Sequence, residues 1–385
     1  MRTALGMIVK SLNSDDEVVR FLKNADKHNH KIDCVIVAYS QHIDPGAVVS
    51  INKKVPLFTI DINKPVFCDE QFRHRGISAA ASQTLLECPI DSVDGLVPYG
   101  FNRTMVVIEA ILRGVEILFF VDNDVSPLVL KKTPDGLSLT DEDFFGAHLE
   151  YLENGSQITT GEYSGYNILP PASFECMDDL LLGLQKGDMI QYWQSSKHHD
   201  CLAVEPAERV IRPCSKILGG NVAITLSVFT KIPPFFSSTH MLGGELFLNR
   251  GEDSLLGYFI EKNGITCTDI GRMPFHDTYR NYPIKPDLQG DPLAQNRFFY
   301  ACTGWVGRNP FYNYLYGNDL KSTEESQFKH LERGLRALAE YTSNPRFYSV
   351  LRNFKVSWGD LGRYISEYER VLEAWDEFIE RCDIV

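Results

Sequence analysis

Apolar runs and amphipathic segments alternate through the first 125 residues. The runs that predict buried strands lie at 4–9, 33–39, 55–60 and 116–121. Helical patterns separate them, and the last pattern, Met105 to Leu112, follows a predicted turn at residues 99–103. Strands that are apolar throughout and separated by helices are typical of a parallel sheet covered on both faces. The carboxyl ends of such strands meet at one edge, where open α/β sheets bind ligands.

The pattern changes twice along the rest of the chain. Residues 126–290 are more irregular, whereas the segment beyond about Asn318 is helical throughout. Its last helix carries an apolar stripe that includes Tyr364, Tyr368, Val371, Trp375 and Phe378. Such a stripe needs a partner surface, either within the chain or on another subunit. We expect an α/β domain with two halves, 1–125 and 126–290, followed by a C-terminal helical region, 291–385.

Composition limits the possible functions. The 385 residues carry 38 Lys and Arg against 51 Asp and Glu, a formal net charge of -13. This acidity disfavours binding to nucleic acid, whose affinity depends on neutralising phosphates. No run approaches the roughly 20 apolar residues that span a bilayer. The nine cysteines are scattered without a C-x-x-C pair, which favours reduced thiols in a cytoplasmic protein.

The strongest candidate for chemistry is Asp122-Asn123-Asp124, at the end of the most apolar predicted strand. Residues i and i+2 of an extended segment point to the same side, so both carboxylates can face one divalent cation. Mg²⁺ and Mn²⁺ prefer carboxylate oxygens and leave positions for phosphate oxygens. The simpler alternative is a solvated turn, because Asp and Asn are common turn residues.

Four further segments accompany this pair, one before it and three after it along the chain. They are Gly100-Phe101-Asn102-Arg103, Leu218-Gly219-Gly220-Asn221, Gly251-Glu252-Asp253 and Met273-Pro274-Phe275-His276. Together with the strand-end D-x-D, these segments resemble those of nucleotide-sugar glycosyltransferases of the GT-A fold. The resemblance covers about residues 2–277 and extends to the family-2-like enzymes and to the mannosylglycerate and glucosyl-phosphoglycerate synthases. It implies a Rossmann-like, mostly parallel sheet, with a donor-binding half at 1–125 and an acceptor-binding half at 126–290.

The resemblance also implies roles for individual residues. The expected ligands of a Mn²⁺ or Mg²⁺ ion are Asp122, Asp124 and His276. The expected contacts to a UDP- or GDP-sugar donor are Asn102, Arg103, Asp61, Asp122, Gly219, Gly220 and Asn221. Asp253 is the candidate general base for the acceptor hydroxyl, with Glu252 as its alternative. The aromatic residues Tyr192, Trp193 and Trp305 are candidates for stacking on a sugar, although most aromatic side chains form core.

Each of these residues has a plainer interpretation. Asp253 suits a helix N-terminus through the helix dipole, His276 suits a structural role, and Arg103 suits a helix surface.

Two other functions also stay open. A nucleotidyltransferase is disfavoured because Val9 to Asn13 lacks the glycine-rich loop that holds a triphosphate, and a carbohydrate-binding protein without catalysis would keep the same fold. The sugar, the nucleobase, the acceptor, the stereochemistry and the oligomeric state, including a homo-oligomer through the C-terminal helices, are not determined by the sequence.

Overall fold

The computed structural model describes residues 1–90, 97–191 and 202–382. The predicted α/β architecture is confirmed, with a central sheet between helices and further helices at the C-terminal end. The strands are β1 (Thr3–Leu12), β2 (Cys34–Ile43), β3 (Leu57–Asp61), β4 (Ile117–Asp122), β5 (Val125–Thr133), β6 (Gly136–Asp141), β7 (Ile158–Thr160), β8 (Gly165–Tyr166), β9 (Leu202–Ala203), β10 (Arg212–Pro213), β11 (Asn221–Thr225), β12 (Thr239–Leu242), β13 (Glu245–Leu248), β14 (Cys267–Asp269) and β15 (Pro274–His276). The helices are α1 (Asp16–Lys27), α2 (Pro45–Asn52), α3 (Val66–His74), α4 (Ala79–Leu86), α5 (Tyr99–Leu112), α6 (Phe144–Glu153), α7 (Met177–Gly183), α8 (Glu252–Lys262), α9 (Pro292–Leu315), α10 (Leu320–Thr342), α11 (Ser349–Gly359) and α12 (Leu361–Glu380).

The central sheet has eight strands in the order β10-β14-β7-β11-β4-β1-β2-β3. Strands β3, β2, β1 and β4 are parallel, whereas β11 runs antiparallel to both β4 and β7. The four parallel strands therefore end at one edge, as the apolar runs predicted.

Helices cover both faces of this sheet. Alternate residues of β1 divide between two cores, because successive side chains of a strand point to opposite faces. Ala4 and Ile8 pack with helices α3, α4 and α5, and Leu5, Met7 and Val9 pack with α1, α2 and α6. The first turn of α5 includes residues 99–103, so the turn predicted there is instead helical.

The C-terminal helices complete both the core and the site. Trp375 and Phe378 of α12 are buried in the same core as α4 and α5, and the Trp375 indole N–H donates to the carbonyl of Phe229 over 3.1 Å. The partner surface of the predicted apolar stripe is therefore within the chain. Within the three described ranges, no helix is both long enough and apolar enough to cross a membrane.

Candidate functional site

Two adjoining cavities open at the carboxyl ends of β1 and β4. The larger, here the Arg297 cavity, has a volume of about 540 Å³ and is lined by residues that include Lys10, Asp122, Asp124, His276, Arg280 and Arg297. The smaller, the Arg308 cavity, has about 280 Å³ and is lined by residues that include Arg103, Lys186, Glu252, Asp253, Trp305 and Arg308. Tyr99, Asp122, Arg250 and His276 line both. The two cavities are therefore parts of one cleft.

Strand pairing brings Asp124 and His276 together. Strand β15 pairs antiparallel with β5, so that His276 lies opposite Val125, and the Nε2 atom of His276 is 3.2 Å from Oδ1 of Asp124. Burial alone would raise the pKa of Asp124, but His276, Arg297 and Arg280 outweigh it and lower the pKa to about 2. Burial opposes protonation of His276, but Asp124 raises its pKa overall. The contact therefore favours the carboxylate form of Asp124 and the protonated form of His276.

Asp122 contacts Arg103, whose guanidinium joins three segments of the site. Arg103 is only 2% exposed, and its Nη2 donates to Asp122 Oδ1 over 2.9 Å. Its Nε donates to Glu252 Oε1 over 3.2 Å, and its Nη1 donates to the carbonyl of Gly219. The pKa of Arg103 is raised, because Asp122 and Glu252 outweigh the effect of burial. Arg103 thus ties the end of β4 to the Gly-Gly segment and to the start of α8.

Positions 219 and 220 have no room for a side chain, because side chains of other residues occupy the adjacent space. A Cβ on Gly219 would lie 2.5 Å from the guanidinium carbon of Arg103. A Cβ on Gly220 would lie 2.5 Å from Asp122 Oδ2 and 2.6 Å from the Tyr163 hydroxyl, to which the Gly220 N–H donates over 2.8 Å. Arg103, Asp122 and Tyr163 therefore require glycine at these two positions, and Gly219 also lines the Arg308 cavity.

The two acidic residues in the first turn of helix α8 lie in different environments. Glu252 is buried against Arg103, and burial together with Asp253 raises its pKa. Asp253 also lines the Arg308 cavity, and its Oδ1 accepts the Ser254 N–H over 2.7 Å. Its other carboxylate oxygen has no hydrogen bond among the described residues. Of the two carboxylates, Asp253 is therefore the one with an oxygen available to a ligand.

Two arginines that the motifs did not indicate line the Arg297 cavity. Arg280 follows β15, and Arg297 is on the first turns of α9. Both interact electrostatically with Asp124, and neither has an ion-pair partner within residues 1–90, 97–191 and 202–382. With Lys10 they give this cavity three basic side chains near Asp124 and His276.

The Arg308 cavity also contains cations that the sequence did not indicate. Arg308 is 5% exposed, its Nε has no hydrogen-bond partner, and no described residue forms an ion pair with it. Lys186 lies with Nζ 5.0 Å from the centre of the Trp305 ring. Burial and the neighbouring Arg308 lower the pKa of Lys186 to about 8. Arg308 is buried and Lys186 is half-buried. Neither forms an ion pair with a described carboxylate, so this end of the cleft can take an anion.

Three predicted donor contacts do not reach these cavities. Asn221 is fully buried, with Nδ2 bonded to the carbonyls of Glu162 and Arg272. Asn102 is also fully buried, and its side-chain amide has no hydrogen bond among the described residues. Asp61 ends β3 at the sheet margin, where its Oδ1 accepts the Asn63 N–H over 3.0 Å. Asn102 and Asn221 therefore lie in the core next to the cleft, and neither lines either cavity.

Of the three aromatic residues predicted to stack on a sugar, one lies at the cleft. Trp305 lines the Arg308 cavity, whereas Tyr192 and Trp193 lie outside the described residues.

Within the described part of the chain, no group of three or more His, Cys, Asp or Glu side chains is arranged to hold a metal ion. The Asp124–His276 pair still fits a divalent ion that takes its remaining ligands from substrate phosphates and water, as Mg²⁺ commonly does. Asp122 is directed instead toward Arg103.

Comparisons with known proteins give a likeness of fold. No protein-family model and no curated protein matches the chain. A solved mycobacterial protein matches with a TM-score of 0.38 and 13% identity, over 82% of this chain and 75% of that one. Glucosyl-3-phosphoglycerate synthase from Mycobacterium tuberculosis with Mn²⁺ and UDP-glucose matches with a TM-score of 0.36 and 13% identity, over 79% and 78%. The same enzyme with Mn²⁺, UDP and phosphoglyceric acid gives 0.37 and 12%, over 79% and 76%. The functional argument therefore depends on the residues of this chain.

Proposed function

We propose that this protein is a metal-dependent glycosyltransferase. It binds a nucleotide-diphosphate sugar in the Arg297 cavity and transfers the sugar to a hydroxyl of an anionic acceptor in the Arg308 cavity. The observation that supports this best is the continuity of the two cavities at Asp122 and His276. A donor and an acceptor bound in the two parts would meet at these residues, as a transfer reaction requires.

The charges of the Arg297 cavity suit a diphosphate. Arg280, Arg297 and Lys10 line it without an ion-pair contact to a described carboxylate, and guanidinium groups pair with phosphate oxygens in bidentate fashion. Asp124 and His276 would hold Mn²⁺ or Mg²⁺ in the same cavity. The ion would supply Lewis-acid neutralisation of the leaving diphosphate. The protein side chains supply the remaining positive charge and fix the position of the leaving group.

The Arg308 cavity suits a small acceptor that carries a carboxylate or phosphate. Lys186 and Arg308 would pair with that anion, and Trp305 would cover an apolar face of the acceptor or sugar. Asp253 would then accept the proton of the attacking hydroxyl, because one of its carboxylate oxygens has no protein donor. Glu252 is held by Arg103 and would position α8. The face from which the acceptor attacks the anomeric carbon would decide whether the product is inverted or retained, and an inverting reaction would need Asp253 as its base.

Binding and turnover experiments test the proposal. Nucleoside diphosphate sugars of uridine, guanosine and adenosine are added with Mn²⁺ or Mg²⁺, and a bound ligand raises the unfolding temperature by mass action. Release of nucleoside diphosphate is then measured with glycerol 3-phosphate, 3-phosphoglycerate and, as a neutral control, glycerol. We expect release only with metal and an anionic acceptor. Pyrophosphate release from a nucleoside triphosphate and a sugar phosphate would show a nucleotidyltransferase instead, and binding without turnover across the panel would support a carbohydrate-binding protein.

A further inference from the structure

Two cysteines face each other next to the wall of the Arg308 cavity. Cys214 directly follows β10, and Cys267 is the first residue of β14. The register of these strands pairs Pro213 with Thr268, so the next pair is Cys214 with Cys267. The Cys214 N–H donates to the Cys267 carbonyl over 3.0 Å, and the two Sγ atoms are 3.5 Å apart. Both thiols are free in the structure.

This backbone arrangement is compatible with a disulfide. Directly opposite residues of a hydrogen-bonded antiparallel pair have Cα atoms about 5.5 Å apart, which lies within the range that disulfides span. The sulfur atoms must approach by only about 1.5 Å to reach the bonded distance of about 2.05 Å. Rotation of the side chains with a small shift of the short β10 strand is enough for this, because β10 is at the edge of the sheet.

The two thiols also differ in accessibility and acidity, as a reactive pair requires. Cys214 is half-buried, whereas Cys267 is buried. The hydrogen bond from the Cys267 thiol lowers the pKa of Cys214, whereas the same bond and burial raise the pKa of Cys267. Cys214 is therefore the thiol that an external disulfide reaches first, since the thiolate is the attacking species.

The segment that follows Cys214 forms part of the cavity wall. Lys216, Ile217, Leu218 and Gly219 line the Arg308 cavity. The carbonyl oxygen of Ser215 packs so closely on α8 that a Cβ on Gly257 would lie 2.4 Å from it. A covalent bond from Cys214 to β14 would therefore limit the movement of residues 215–219 against α8.

We propose that Cys214 and Cys267 are a modification site, where a small disulfide such as oxidised glutathione forms a reversible intramolecular disulfide that fixes residues 215–219. The Cys214 thiolate attacks one glutathione sulfur and releases the first glutathione as a thiolate. The Cys267 thiol then loses its proton and attacks Sγ of Cys214, which releases the second glutathione. The two protons from the cysteines go to the two glutathione thiolates, so two protein thiols are oxidised while one external disulfide is reduced.

Mass spectrometry of the full chain tests bond formation. After incubation with oxidised glutathione, we expect the wild-type protein to lose the mass of two hydrogens, with digestion giving a peptide that links Cys214 to Cys267. Dithiothreitol should restore the original mass. Cys267→Ala should stop at one bound glutathione on Cys214, whereas the control Cys176→Ser, at another half-buried thiol, should still form the linked peptide. Stable single glutathionylation of the wild type, or a linkage between other cysteines, would overturn the proposal, and neither result depends on a variant that folds.

Hydrogen exchange tests the effect on the cavity wall. The Leu218 N–H donates to Thr160 Oγ1 over 3.2 Å, and the Gly220 N–H donates to Tyr163 over 2.8 Å. In the oxidised protein we expect these two amides to exchange at least about threefold more slowly than in the reduced protein, since local opening becomes rarer. A disulfide that leaves their exchange rates unchanged would contradict the claim that it fixes residues 215–219.

Discussion

Asp124 and His276 meet because the strands next to them are hydrogen-bonded: the Asp277 N–H donates to the carbonyl of Asp124 over 3.2 Å. The side chains are held on the same side of this pairing, with Nε2 and Oδ1 3.2 Å apart. The same contact that stabilises the ion pair in the absence of metal presents two ligands side by side. A metal ion would have to displace the imidazolium proton, so metal affinity should increase with pH.

Replacement of Asp124 tests the proposed metal site. Asp124→Asn keeps the shape of the side chain but removes its charge, so we expect Mn²⁺-dependent donor binding to weaken by more than about 10-fold. The measurement is titration calorimetry with UDP-glucose, with and without Mn²⁺. Asp135→Asn, on the exposed β5–β6 turn, is the matched control and should bind like the wild type. Unchanged binding by Asp124→Asn would remove this residue from the metal site.

His276 should contribute to metal affinity more than to folding. We expect His276→Ala to weaken Mn²⁺ binding by about 10–100-fold, while the unfolding temperature without metal changes little. His330 is a matched control, because its Nδ1 lies 2.6 Å from Asp179 Oδ1 in a similar pair on α10. His330→Ala should leave Mn²⁺ affinity unchanged. Equal metal affinity in the two variants would assign His276 a structural role.

The pKa of Lys186 predicts how acceptor binding depends on pH. Its pKa is lowered to about 8, so the side chain is charged below pH 8 and neutral above it. If the charged form pairs with the acceptor, the KM for an anionic acceptor should rise by up to about 10-fold per pH unit above pH 8, with little change in donor affinity. Lys186→Met should remove this dependence and have a high KM throughout.

A lysine beside an aromatic ring elsewhere serves as the control for that experiment. Lys262 lies with Nζ 5.4 Å from the ring centre of Tyr258, and Lys262→Met should keep the wild-type profile. A wild-type KM that is constant between pH 7 and 10 would exclude Lys186 as the acceptor's partner.

Asp253 and the stereochemistry of the product are tested together. Asp253→Asn cannot accept a proton, so an inverting enzyme should lose about 10²–10⁴-fold in kcat, with little change in donor affinity. In a retaining enzyme the same variant should mainly raise the acceptor KM. Proton NMR of the product anomer separates the two cases. Asp319→Asn changes another carboxylate at a helix N-terminus and should keep full activity; an inverted product at the wild-type rate in Asp253→Asn would exclude Asp253 as the base.

Adding a single methyl group at Gly220 should lower the free energy of unfolding. In Gly220→Ala the new Cβ would lie 2.5 Å from Asp122 Oδ2, so the carboxylate or the loop must move. Overpacking of this kind typically costs about 1–3 kcal/mol, and chemical unfolding should measure it. Gly362→Ala in α12 has open space around the new Cβ and should be neutral or slightly stabilising. Equal stability of the two variants would show that the Gly-Gly segment adjusts freely.

The sequence predicted the sheet and the strand-end carboxylates well because both depend on local patterns. The apolar run of β4 and the polar residues that follow it place Asp122 and Asp124 at the sheet edge without knowledge of other segments. The Gly-Gly segment is visible in the sequence, but the neighbour that requires each glycine, such as Arg103 beside Gly219, is far away in sequence. Local pattern could not indicate it.

The cations of the cleft could not be predicted for a related reason. Lys186 follows a short helix, and Arg297 and Arg308 are single basic residues on a long one, where such residues usually face solvent. Only packing of the C-terminal helices against the sheet domain buries Arg308 and directs Arg297 into a cavity. The environment of Asn221 was not predictable either, because its hydrogen bonds go to the backbone carbonyls of Glu162 and Arg272, which are distant in sequence.

Helix α9 fixes the distance between Arg297 and Arg308, which line the two parts of the cleft. Arg297 and Arg308 are 11 residues apart on it. At the rise and pitch of an α-helix this is about 16.5 Å and just over three turns. Both side chains therefore leave the same side of one rigid rod, each toward its own cavity. Inserting a single residue between them would turn Arg308 by about 100° and move it by about 1.5 Å. If the two arginines bind donor and acceptor as proposed, the register of this helix sets the spacing between the two molecules. Length changes in this helix should then be far less tolerated than substitutions on its outer face.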